Sequence, residues 1–330
     1  MLVTISSQAP GKGPGAISDG LERKQPGTTP PAPRFAGEFS VERPKWLRAP
    51  APVGENYREL KDLVTRLKLH TVCESAACPN VGECWNRRTA TFMILGNVCT
   101  RRCGFCMVQK GAPLPVDYDE PRRVAEACAA LGLRYAVITS VDRDDRNDGG
   151  AELFALTIEA IRDRVPGCKI EVLVPDFQGL HAAMDIVMNA HPDVFNHNTE
   201  TVPRLYRQVR LGARFERSLD ILRYAKQVRP GIPTKSGLML GLGETNDEVL
   251  AVMRELRAHH VDILTLGQYL RPSTRHLPIL RYVPQQEFTE LKRAGQEMGF
   301  AHVEAGPLVR SSYHADASEG SALESLRVLG

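Results

Sequence analysis

The sequence predicts an α/β fold built on a parallel sheet. Short runs of apolar and β-branched residues recur along the chain, and stretches with helical apolar spacing separate them. About six strand–helix units follow one another, each about 25 to 40 residues long. Such alternation produces a parallel sheet, either doubly wound or curled into a barrel, and spacing alone does not choose between the two.

Local patterns predict the individual elements. The strands are expected around Thr91 and at 134–139, 169–174, 194–196, 234–240 and 262–266. A helix is expected from Glu55, because apolar residues recur there every three or four positions. The residues of this apolar face are Leu60, Leu63, Val64 and Leu67. Another helix begins at Pro121, since proline suits a first helical turn, and a third follows the capping box of Thr245 and Glu248.

The composition excludes several classes of protein. A net charge of +3 is too small to indicate nucleic acid as a partner. No apolar run approaches the length of a membrane span, and residues 1–18 do not resemble a signal peptide. The segment 1–52 is rich in proline, glycine, serine and threonine and lacks apolar periodicity, which predicts a tail. Near its end, Trp46 and Leu47 are candidates for docking onto the body.

Eight cysteines indicate the chemistry. Six lie in two clusters, and Cys128 and Cys168 stand apart as expected packing residues. Tight clusters are typical of metal binding in a reducing compartment rather than of disulfides, so we expect a cytoplasmic protein.

The central cluster is Cys99-x3-Cys103-x2-Cys106, directly after the apolar stretch 91–96. Three thiolates this close cannot all pair with one another, but they can surround a metal centre. They are one short of the four ligands that close a cubane or a tetrahedral zinc site, so one metal position stays open to a small molecule. A structural zinc site is the alternative on spacing alone.

The preceding cluster is Cys73-x4-Cys78-x5-Cys84, and Pro79 and Gly82 predict an irregular loop around it. Again the neighbouring sequence offers no fourth thiolate. Zinc with a distant histidine would suit this run taken alone, but beside the central cluster a second iron–sulfur cluster is favoured.

Polar groups follow several predicted strands. They are Thr139 and Ser140 after the second strand, Asn196, Asn198 and Glu200 after the fourth, and Gly241 and Glu244 after the fifth. Amide and carboxylate groups suit sugar hydroxyls, and a glycine at a strand end lets a ligand approach the backbone. Loop capping or a tight turn would explain the same residues without any ligand.

These motifs carry a resemblance to a known family. The central cysteine run resembles the signature of radical S-adenosylmethionine (SAM) enzymes. Together with the preceding cysteine run and the Arg-Ser-Ser-Tyr sequence at 310–313, it resembles the lipoyl synthase family. Supporting stretches lie at 54–57, 138–145, 171–177 and 267–273, so the resemblance runs from about residue 44 to 315. Leu211 departs from the family, which usually has proline at this turn.

The resemblance implies a partial (β/α)6 barrel of the TIM type, with its site at the carboxyl ends of the strands. Composition and the resemblance together predict four regions. Composition predicts a disordered tail (1–43). The resemblance implies an N-terminal extension with auxiliary-cluster cysteines (44–90), the radical SAM barrel (91–299) and a C-terminal extension with the Arg-Ser-Ser-Tyr sequence (300–330).

The family is a group of sulfurtransferases that insert sulfur at carbons 6 and 8 of an octanoyl chain on a carrier-protein lysine. These carbons have no acidic proton for a base to remove, so a carbon-centred radical is the available route. The resemblance implies that a 4Fe-4S cluster on Cys99, Cys103 and Cys106 chelates SAM and produces a 5′-deoxyadenosyl radical. It implies a second, auxiliary 4Fe-4S cluster, on the other three clustered cysteines and a C-terminal serine, as the sulfur source. For that serine, Ser312 is preferred to Ser311.

The resemblance also assigns the polar groups at the strand ends to SAM. It implies as partners octanoylated lipoyl carrier domains, namely 2-oxoacid dehydrogenase E2 subunits and the glycine cleavage H protein. An electron donor such as ferredoxin or flavodoxin and an iron–sulfur carrier for cluster repair are further implied partners.

Three arginines form a candidate docking face for an acidic carrier domain, although a solvated charge run is the alternative. They are Arg204, Arg207 and Arg210, which recur every three residues on a predicted short helix.

Two other interpretations stay open. A methylthiotransferase acting on RNA or a ribosomal protein would carry its auxiliary cysteines in a separate N-terminal domain and usually a basic C-terminal domain, and the sequence has room for neither. A non-catalytic iron–sulfur or zinc protein, such as a sensor or scaffold, would not cleave SAM under reduction.

Overall fold

The computed structural model describes residues 42–48, 54–75, 78–86 and 89–320. Its main element is a sheet of seven parallel strands, with a two-stranded ladder as a separate sheet. The sheet strands are β1 (Thr89–Ile94), β4 (Tyr135–Ser140), β5 (Lys169–Leu173), β6 (Val194–Asn196), β7 (Thr234–Leu240), β8 (Ile263–Gln268) and β9 (His302–Gly306), and the ladder is β2 (Val98–Cys99) with β3 (Gln109–Lys110). The predicted tail lies outside the described residues, apart from positions 42 and 43.

Helices precede and alternate with these strands. In chain order they are α1 (Glu55–Arg66), α2 (Val72–Ser75), α3 (Val81–Asn86), α4 (Glu120–Ala130), α5 (Ala151–Arg164), α6 (His181–Asn189), α7 (Tyr206–Val209), α8 (Phe215–Val228), α9 (Asn246–Ala258) and α10 (Gln285–Glu297). Three sequence predictions are confirmed here: the helix from Glu55, the helix with Pro121 in its first turn, and the capping box of Thr245 and Glu248.

The order of the strands decides between the two architectures left open by the sequence. The sheet runs β1-β4-β5-β6-β7-β8-β9, so every crossover steps in the same direction. Because crossovers between parallel strands are right-handed, the helices then all fall on one face and the sheet curls around the other. This is a barrel-type fold, not a doubly wound one. Within the described residues β1 and β9 are the two ends of the sheet and do not pair with each other, so the barrel is partial.

The six predicted strands are all present, but the sheet has a seventh. Strand β9 pairs in parallel with β8, from the pair Ile263 and His302 to the pair Gly267 and Gly306. It lies in the part of the chain predicted as a C-terminal extension. Its half-buried pattern, with polar His302 and Glu304 between apolar residues, hides it from a search for continuous apolar runs.

The C-terminal segment 307–320 returns to the inner face of the sheet. Alternate residues of β4 separate the two faces, because Ala136 and Ile138 belong to the main core that the helices cover. Tyr135 and Val137 instead form a separate buried cluster with Ala315. A residue beyond the last strand therefore fills part of the barrel interior.

The N-terminal extension packs at the β1 edge. The apolar face of α1 is buried as predicted, and the ring of Tyr57 stacks on that of Trp85 in α3 at 5.0 Å. Thr71 forms an antiparallel bridge to Phe92, which fixes this extension against β1. The docking prediction is half right, because Leu47 is 1% exposed whereas Trp46 is 51% exposed.

The loop prediction around Cys73 and Cys84 requires a correction. Both residues lie in short helices, α2 and α3, and Gly82 sits inside α3. Glycine weakens a helix only modestly, so tertiary contacts such as the burial of Trp85 can outweigh its preference. The single cysteines Cys128 and Cys168 are buried, as predicted.

Candidate active site

The central cysteines lie on the connection between β1 and α4. Cys99 belongs to β2, and the backbone amide of Cys106 donates to the carbonyl oxygen of Cys103 at 3.3 Å. Gly104 donates to the carbonyl of Val209 at 2.9 Å and comes so close to Leu277 that a Cβ atom would lie 2.9 Å from that side chain. The residue between the second and third cysteines must therefore be small, because the loop is pressed against its neighbours.

Arg101, between the first two cysteines, anchors this loop. Its side chain is 5% exposed and pairs with Asp144 at 2.8 Å and with Asp176 at 2.5 Å. These two aspartates follow β4 and β5, so one guanidinium ties the cysteine loop to the carboxyl ends of two strands. Burial alone would raise the pKa of Asp176, but the hydrogen bond and charge of Arg101 outweigh it and hold that pKa at about 2.

The central thiols lie in a poorly hydrated setting. The backbone amide of Asp142 donates to Cys99 Sγ at 3.3 Å. Burial raises the pKa of Cys99 to about 11 and that of Cys103 to about 12, because a thiolate loses its hydration there. A positively charged iron centre offsets this cost, and its binding would release the thiol protons. The donor set fits an iron–sulfur cluster.

A second cleft, separate from the central thiols, unites residues that are distant in sequence. It is lined by Cys73, Cys78, Asn80, Cys84, Thr89, Thr91, Arg310, Ser312 and Tyr313. Three thiols, four hydroxyls and one guanidinium thus share a single space, and Ser312 supplies one of those hydroxyls. Burial raises the pKa of Cys73 to about 12; burial also raises the pKa of Cys78, although Arg310 opposes that shift. The chemistry of this donor set fits a cluster with three thiolates and one oxygen ligand.

The two neighbouring serines of the C-terminal motif have different partners. Ser312 lines the cleft with the three thiols. Ser311 accepts from Asn196 Nδ2 at 3.0 Å and donates to Asn198 Oδ1 at 3.3 Å. This division agrees with the choice of Ser312 as the candidate ligand, while the ligand role itself stays a prediction.

The predicted SAM residues at the ends of β4 and β6 differ in whether their polar atoms already have hydrogen-bond partners. Thr139 donates its hydroxyl to the carbonyl of Leu173 at 2.8 Å, so it already has a partner within the sheet. Ser140 Oγ and Asn196 Oδ1 are buried without a hydrogen-bond partner among the described residues. Since buried polar atoms are nearly always paired, a bound ligand at these two atoms fits the structure. Asn198 donates to Glu200 Oε1 at 3.1 Å, which orients both side chains.

Gly241 and Glu244 shape the loop after β7 rather than present free groups. The carboxylate of Glu244 accepts from the backbone amides of Gly241 at 2.5 Å and Leu242 at 2.9 Å. Gly241 has φ +102°, and a Cβ there would lie 2.3 Å from Gln268 Nε2. The glycine is thus required by the protein's own turn and packing, which agrees with the tight-turn alternative stated for it from the sequence.

The predicted docking face also requires a correction. Arg210 is only 9% exposed and donates to the carbonyl of Asn198 at 2.8 Å and to Ser218 Oγ at 3.2 Å. It therefore belongs to the interior beside the predicted pocket. Arg204 is exposed but pairs with Glu248 at 2.7 Å, and Arg207 is exposed. Helical spacing of three residues did not place the arginines on one solvent face because the segment changes from a 3-10 turn to α7 and ends at Val209.

Several residues of the site were missed from the sequence. They are Arg101, Asp142, Asp144, Asp176 and Asn80, whereas the sequence indicated Ser311 only as an alternative cluster ligand. Aspartates directly after two predicted strands were a usable signal, because strand ends meet at one edge of a parallel sheet. No feature of the sequence indicated which residues would pair with Arg101, the arginine between the first two central cysteines.

Comparison with known proteins identifies the family. Residues 93–256 match the profile of the Radical SAM superfamily, and residues 31–78 match the N-terminal domain of lipoyl synthase of the Radical SAM family. A lipoyl synthase of Koribacter versatilis is 61% identical over 284 residues, which is 86% of this chain and 93% of that protein. The chain belongs to the lipoyl synthase family. Another lipoyl synthase, from Rubrobacter xylanophilus, is 62% identical over 83% of this chain and 85% of its own length.

Solved structures agree with the fold. Methylornithine synthase (PylB) superposes with a TM-score of 0.50 over 84% of this chain and 96% of its own, at 13% identity. SuiB of Streptococcus suis gives a TM-score of 0.52 over 76% of this chain and 52% of its own, at 11% identity. At such identities the likeness concerns the barrel alone.

Membership of the lipoyl synthase family settles the cofactors and the reaction class. The protein is a radical SAM sulfurtransferase that uses SAM and two 4Fe-4S clusters, and its family acts on lipoyl carrier domains. The zinc alternatives for the cysteine runs are thereby set aside. Among the described residues, no group of three His, Cys, Asp or Glu side chains has the geometry to hold a single metal ion. Within the same residues no helix is both long and apolar enough to cross a membrane.

Proposed function

We propose that this chain completes the lipoyl cofactor by inserting sulfur at carbons 6 and 8 of an octanoyl chain on a carrier-domain lysine. The observation that carries the proposal is the cleft in which Ser312 and Arg310 meet Cys73, Cys78 and Cys84. A single-cluster radical enzyme would have no use for a second set of thiols beside a hydroxyl.

The central site is assigned to Cys99, Cys103 and Cys106. When bound there, a 4Fe-4S cluster with SAM supplies the one-electron chemistry that an unactivated C–H bond requires. The chain's own contribution is positional. Arg101 holds the loop at the strand ends, and the orphan acceptor Asn196 Oδ1 offers a partner to a ligand hydroxyl or amine.

The auxiliary cluster is best understood as a substrate that supplies sulfur. Its ligands would be the three thiols of the cleft and Ser312, which lies two residues from Arg310. An alkoxide is costly in a buried setting unless a cation lies close, and the guanidinium of Arg310 lines the same cleft. An oxygen ligand binds iron less firmly than thiolate would in a site meant to come apart, because iron–sulfur centres favour soft ligands.

The remaining polar residues are proposed to hold SAM either by direct contact or through the shape of the backbone. Ser140, Asn196, Asn198 and Glu200 are the candidates for direct contact. Thr139, Gly241 and Glu244 are proposed to act through the shape of the backbone, since their groups already bind or face protein atoms. Arg210 joins them by donating to the carbonyl of Asn198.

The finer partners remain part of the proposal. They are E2 subunits and the glycine cleavage H protein as carriers, ferredoxin or flavodoxin as electron donor, and an iron–sulfur carrier for repair. A cytoplasmic location follows from the need to keep six clustered thiols reduced. The four predicted regions are retained as a division of roles, with residues 300–330 also supplying β9.

Anaerobic reconstitution followed by incubation with SAM, a reductant and an octanoyl-lysyl peptide tests the function. The expected products are 5′-deoxyadenosine and a peptide that has gained two sulfur atoms. The matched control is Cys128→Ser, which removes a buried thiol outside both clusters. Production of 5′-deoxyadenosine without any sulfur in the peptide, from protein loaded with both clusters, would contradict the proposed activity.

A further inference from the structure

The hydroxyl of Ser311 bridges two side chains at the carboxyl end of β6. It accepts from Asn196 Nδ2 at 3.0 Å and donates to Asn198 Oδ1 at 3.3 Å. The next residue, Ser312, lines the cleft of the three auxiliary thiols. Adjacent residues therefore contact two different sites, and any movement of this segment changes both.

A buried hydrogen-bond network holds the side-chain amide of Asn196. Its Nδ2 also donates to Glu171 Oε1 at 2.7 Å, and Lys235 Nζ lies 3.1 Å from the same oxygen. Glu171 and Lys235 are fully buried, and Tyr135 donates to the other carboxylate oxygen at 2.9 Å. A buried ion pair whose hydrogen bonds are all formed has a single arrangement, so the network of Glu171, Lys235 and Tyr135 is rigid.

The consequence is a fixed orientation of the Asn196 amide. Both hydrogens of Nδ2 are directed to acceptors, one on Glu171 and one on Ser311, so Oδ1 is left as a buried acceptor with no partner among the described residues. An unpaired buried acceptor is unfavourable until a ligand donor meets it. Ser311 therefore helps to keep a vacant acceptor in the place where a ligand hydroxyl would bind.

We propose that Ser311 is a positioning residue that couples the docking of the C-terminal segment to the binding of SAM. A docked segment orients Asn196 for the ligand, and a ligand bound to Asn196 stabilises the docked segment. The two effects are equal by linkage, because each is the same coupling free energy seen from one side. The inference rests on the proposed assignment of SAM to this pocket.

Close packing at β8 supports docking of this segment on the strand ends. A Cβ at Gly267 would lie 2.1 Å from the carbonyl oxygen of Val309 and 3.4 Å from Arg310 Nη1. The segment thus approaches the backbone of the sheet directly at β8 and contacts β6 through Ser311. It spans the carboxyl edge of the barrel between these strands.

The test compares Ser311→Ala with Ser311→Thr and Tyr313→Phe in reconstituted protein without reductant, so that SAM binds and is not consumed. Equilibrium binding measures the affinity for SAM, and hydrogen–deuterium exchange measures protection of residues 307–320 with and without SAM. Ser311→Ala should bind SAM roughly three- to tenfold more weakly, as expected for one lost orienting hydrogen bond. It should also lose the SAM-dependent protection of this segment.

The other two variants separate the hydroxyl from the rest of the segment. Ser311→Thr keeps the hydroxyl and should restore both readouts to near the wild-type values. Tyr313 lines the thiol cleft, but its hydroxyl donates to Glu83 and not to a residue after β6. Tyr313→Phe therefore removes a hydroxyl of the same segment and should leave SAM-dependent protection in place. Wild-type affinity and protection in Ser311→Ala would overturn the inference, as would a Ser311→Thr protein as impaired as the alanine variant.

Iron content distinguishes a different role. If Ser311→Ala loses iron while its affinity for SAM is unchanged, the hydroxyl serves the thiol cleft and the inference is wrong. Failure of sulfur insertion in the wild-type protein would instead contradict the proposed function, whatever the Ser311 variants do in the binding measurements.

Discussion

Asn80 donates from Nδ2 to the carbonyl oxygen of Leu308 at 2.6 Å, across 228 positions of sequence. This hydrogen bond joins the auxiliary-cysteine region, which packs on β1, to the segment that follows β9. Because β1 and β9 are the two ends of the strand order, the contact lies where the barrel is open. The second cleft is therefore built from both chain extensions and depends on their meeting.

We expect the two cysteine runs to load iron independently. Reconstituted wild-type protein should bind about eight iron atoms, as two four-iron centres require. Replacing Cys73, Cys78 and Cys84 with alanine should halve this number and leave SAM cleavage intact, because the central thiols are untouched. Iron analysis and 5′-deoxyadenosine yield are the measurements, with Cys168→Ser as the control. Zinc in place of iron in the second cleft would contradict the prediction.

Replacement of Ser312 should separate cluster binding from sulfur transfer. In Ser312→Ala the three thiols still hold most of the iron and SAM is still cleaved, but sulfur insertion should fail or become very slow. Ser312→Cys should keep the cluster and release sulfur poorly, since thiolate is the firmer ligand. Product analysis by mass spectrometry beside iron counts measures both effects. A normal rate of lipoyl product from Ser312→Ala would show that another group is the ligand.

The anchoring of the central loop by Arg101 can be tested by stability. Arg101→Gln removes the charge that Asp176 faces and should lower the free energy of unfolding by about 3 kcal/mol, the lower range for a broken buried pair, because Arg217 still contacts Asp176 at 3.2 Å. Urea unfolding of the cluster-free protein measures this, and the iron content of the central site should also fall. The neighbouring exposed Arg102, replaced by glutamine, is the control and should change little. Equal unfolding free energies for the two variants would argue against an anchor.

Substitution of Gly241 should be more harmful than strain alone explains. Gly241→Ala places a Cβ against Gln268 and the carbonyl of Arg281, in addition to the cost of φ +102°. Gly212 has φ +94° with open space around it, so Gly212→Ala measures the strain without the collision. We expect Gly241→Ala to lose at least 1 kcal/mol more unfolding free energy, by about the cost of overpacking, and to weaken SAM binding. Chemical denaturation and equilibrium binding test this, and equal losses in the two variants would refute it.

Carrier docking should depend on the arginines that are exposed. Arg207 lies on α7 beside Gln208, whose carbonyl oxygen would be 3.2 Å from a Cβ at Gly104 in the central cysteine loop. Arg207→Glu should reduce kcat/KM for an octanoylated carrier domain by about three- to tenfold at low salt, with a smaller effect near physiological ionic strength, since exposed charges are screened over about 8 Å. A short octanoyl-lysyl peptide should be much less affected.

A remote control completes that comparison. Arg293 on α10 is exposed and pairs with Glu297 within its own helix, so Arg293→Glu changes the net charge equally without altering this surface. An equal loss of carrier turnover in both variants, or equal salt sensitivity with peptide and carrier, would remove the case for a docking face.

The sequence by itself determined six of the seven strands of the main sheet, several helices and the chemistry. Apolar spacing located six strands and the helices at Glu55, Pro121 and Thr245, because periodicity is a local property of the chain. Cysteine spacing indicated two metal centres for the same reason, since thiolates a few residues apart must share a small volume.

Only the tertiary structure decided which groups meet and which are buried. Ser311 and Ser312 are adjacent and chemically identical, yet one contacts the asparagines at the end of β6 and the other lines the thiol cleft. Arg210 repeats the spacing of Arg204 and is nevertheless interior, because α7 ends just before it. The cleft itself joins Cys73 to Ser312 across the open side of the barrel. Such contacts depend on the order and curl of the strands, which no local pattern encodes.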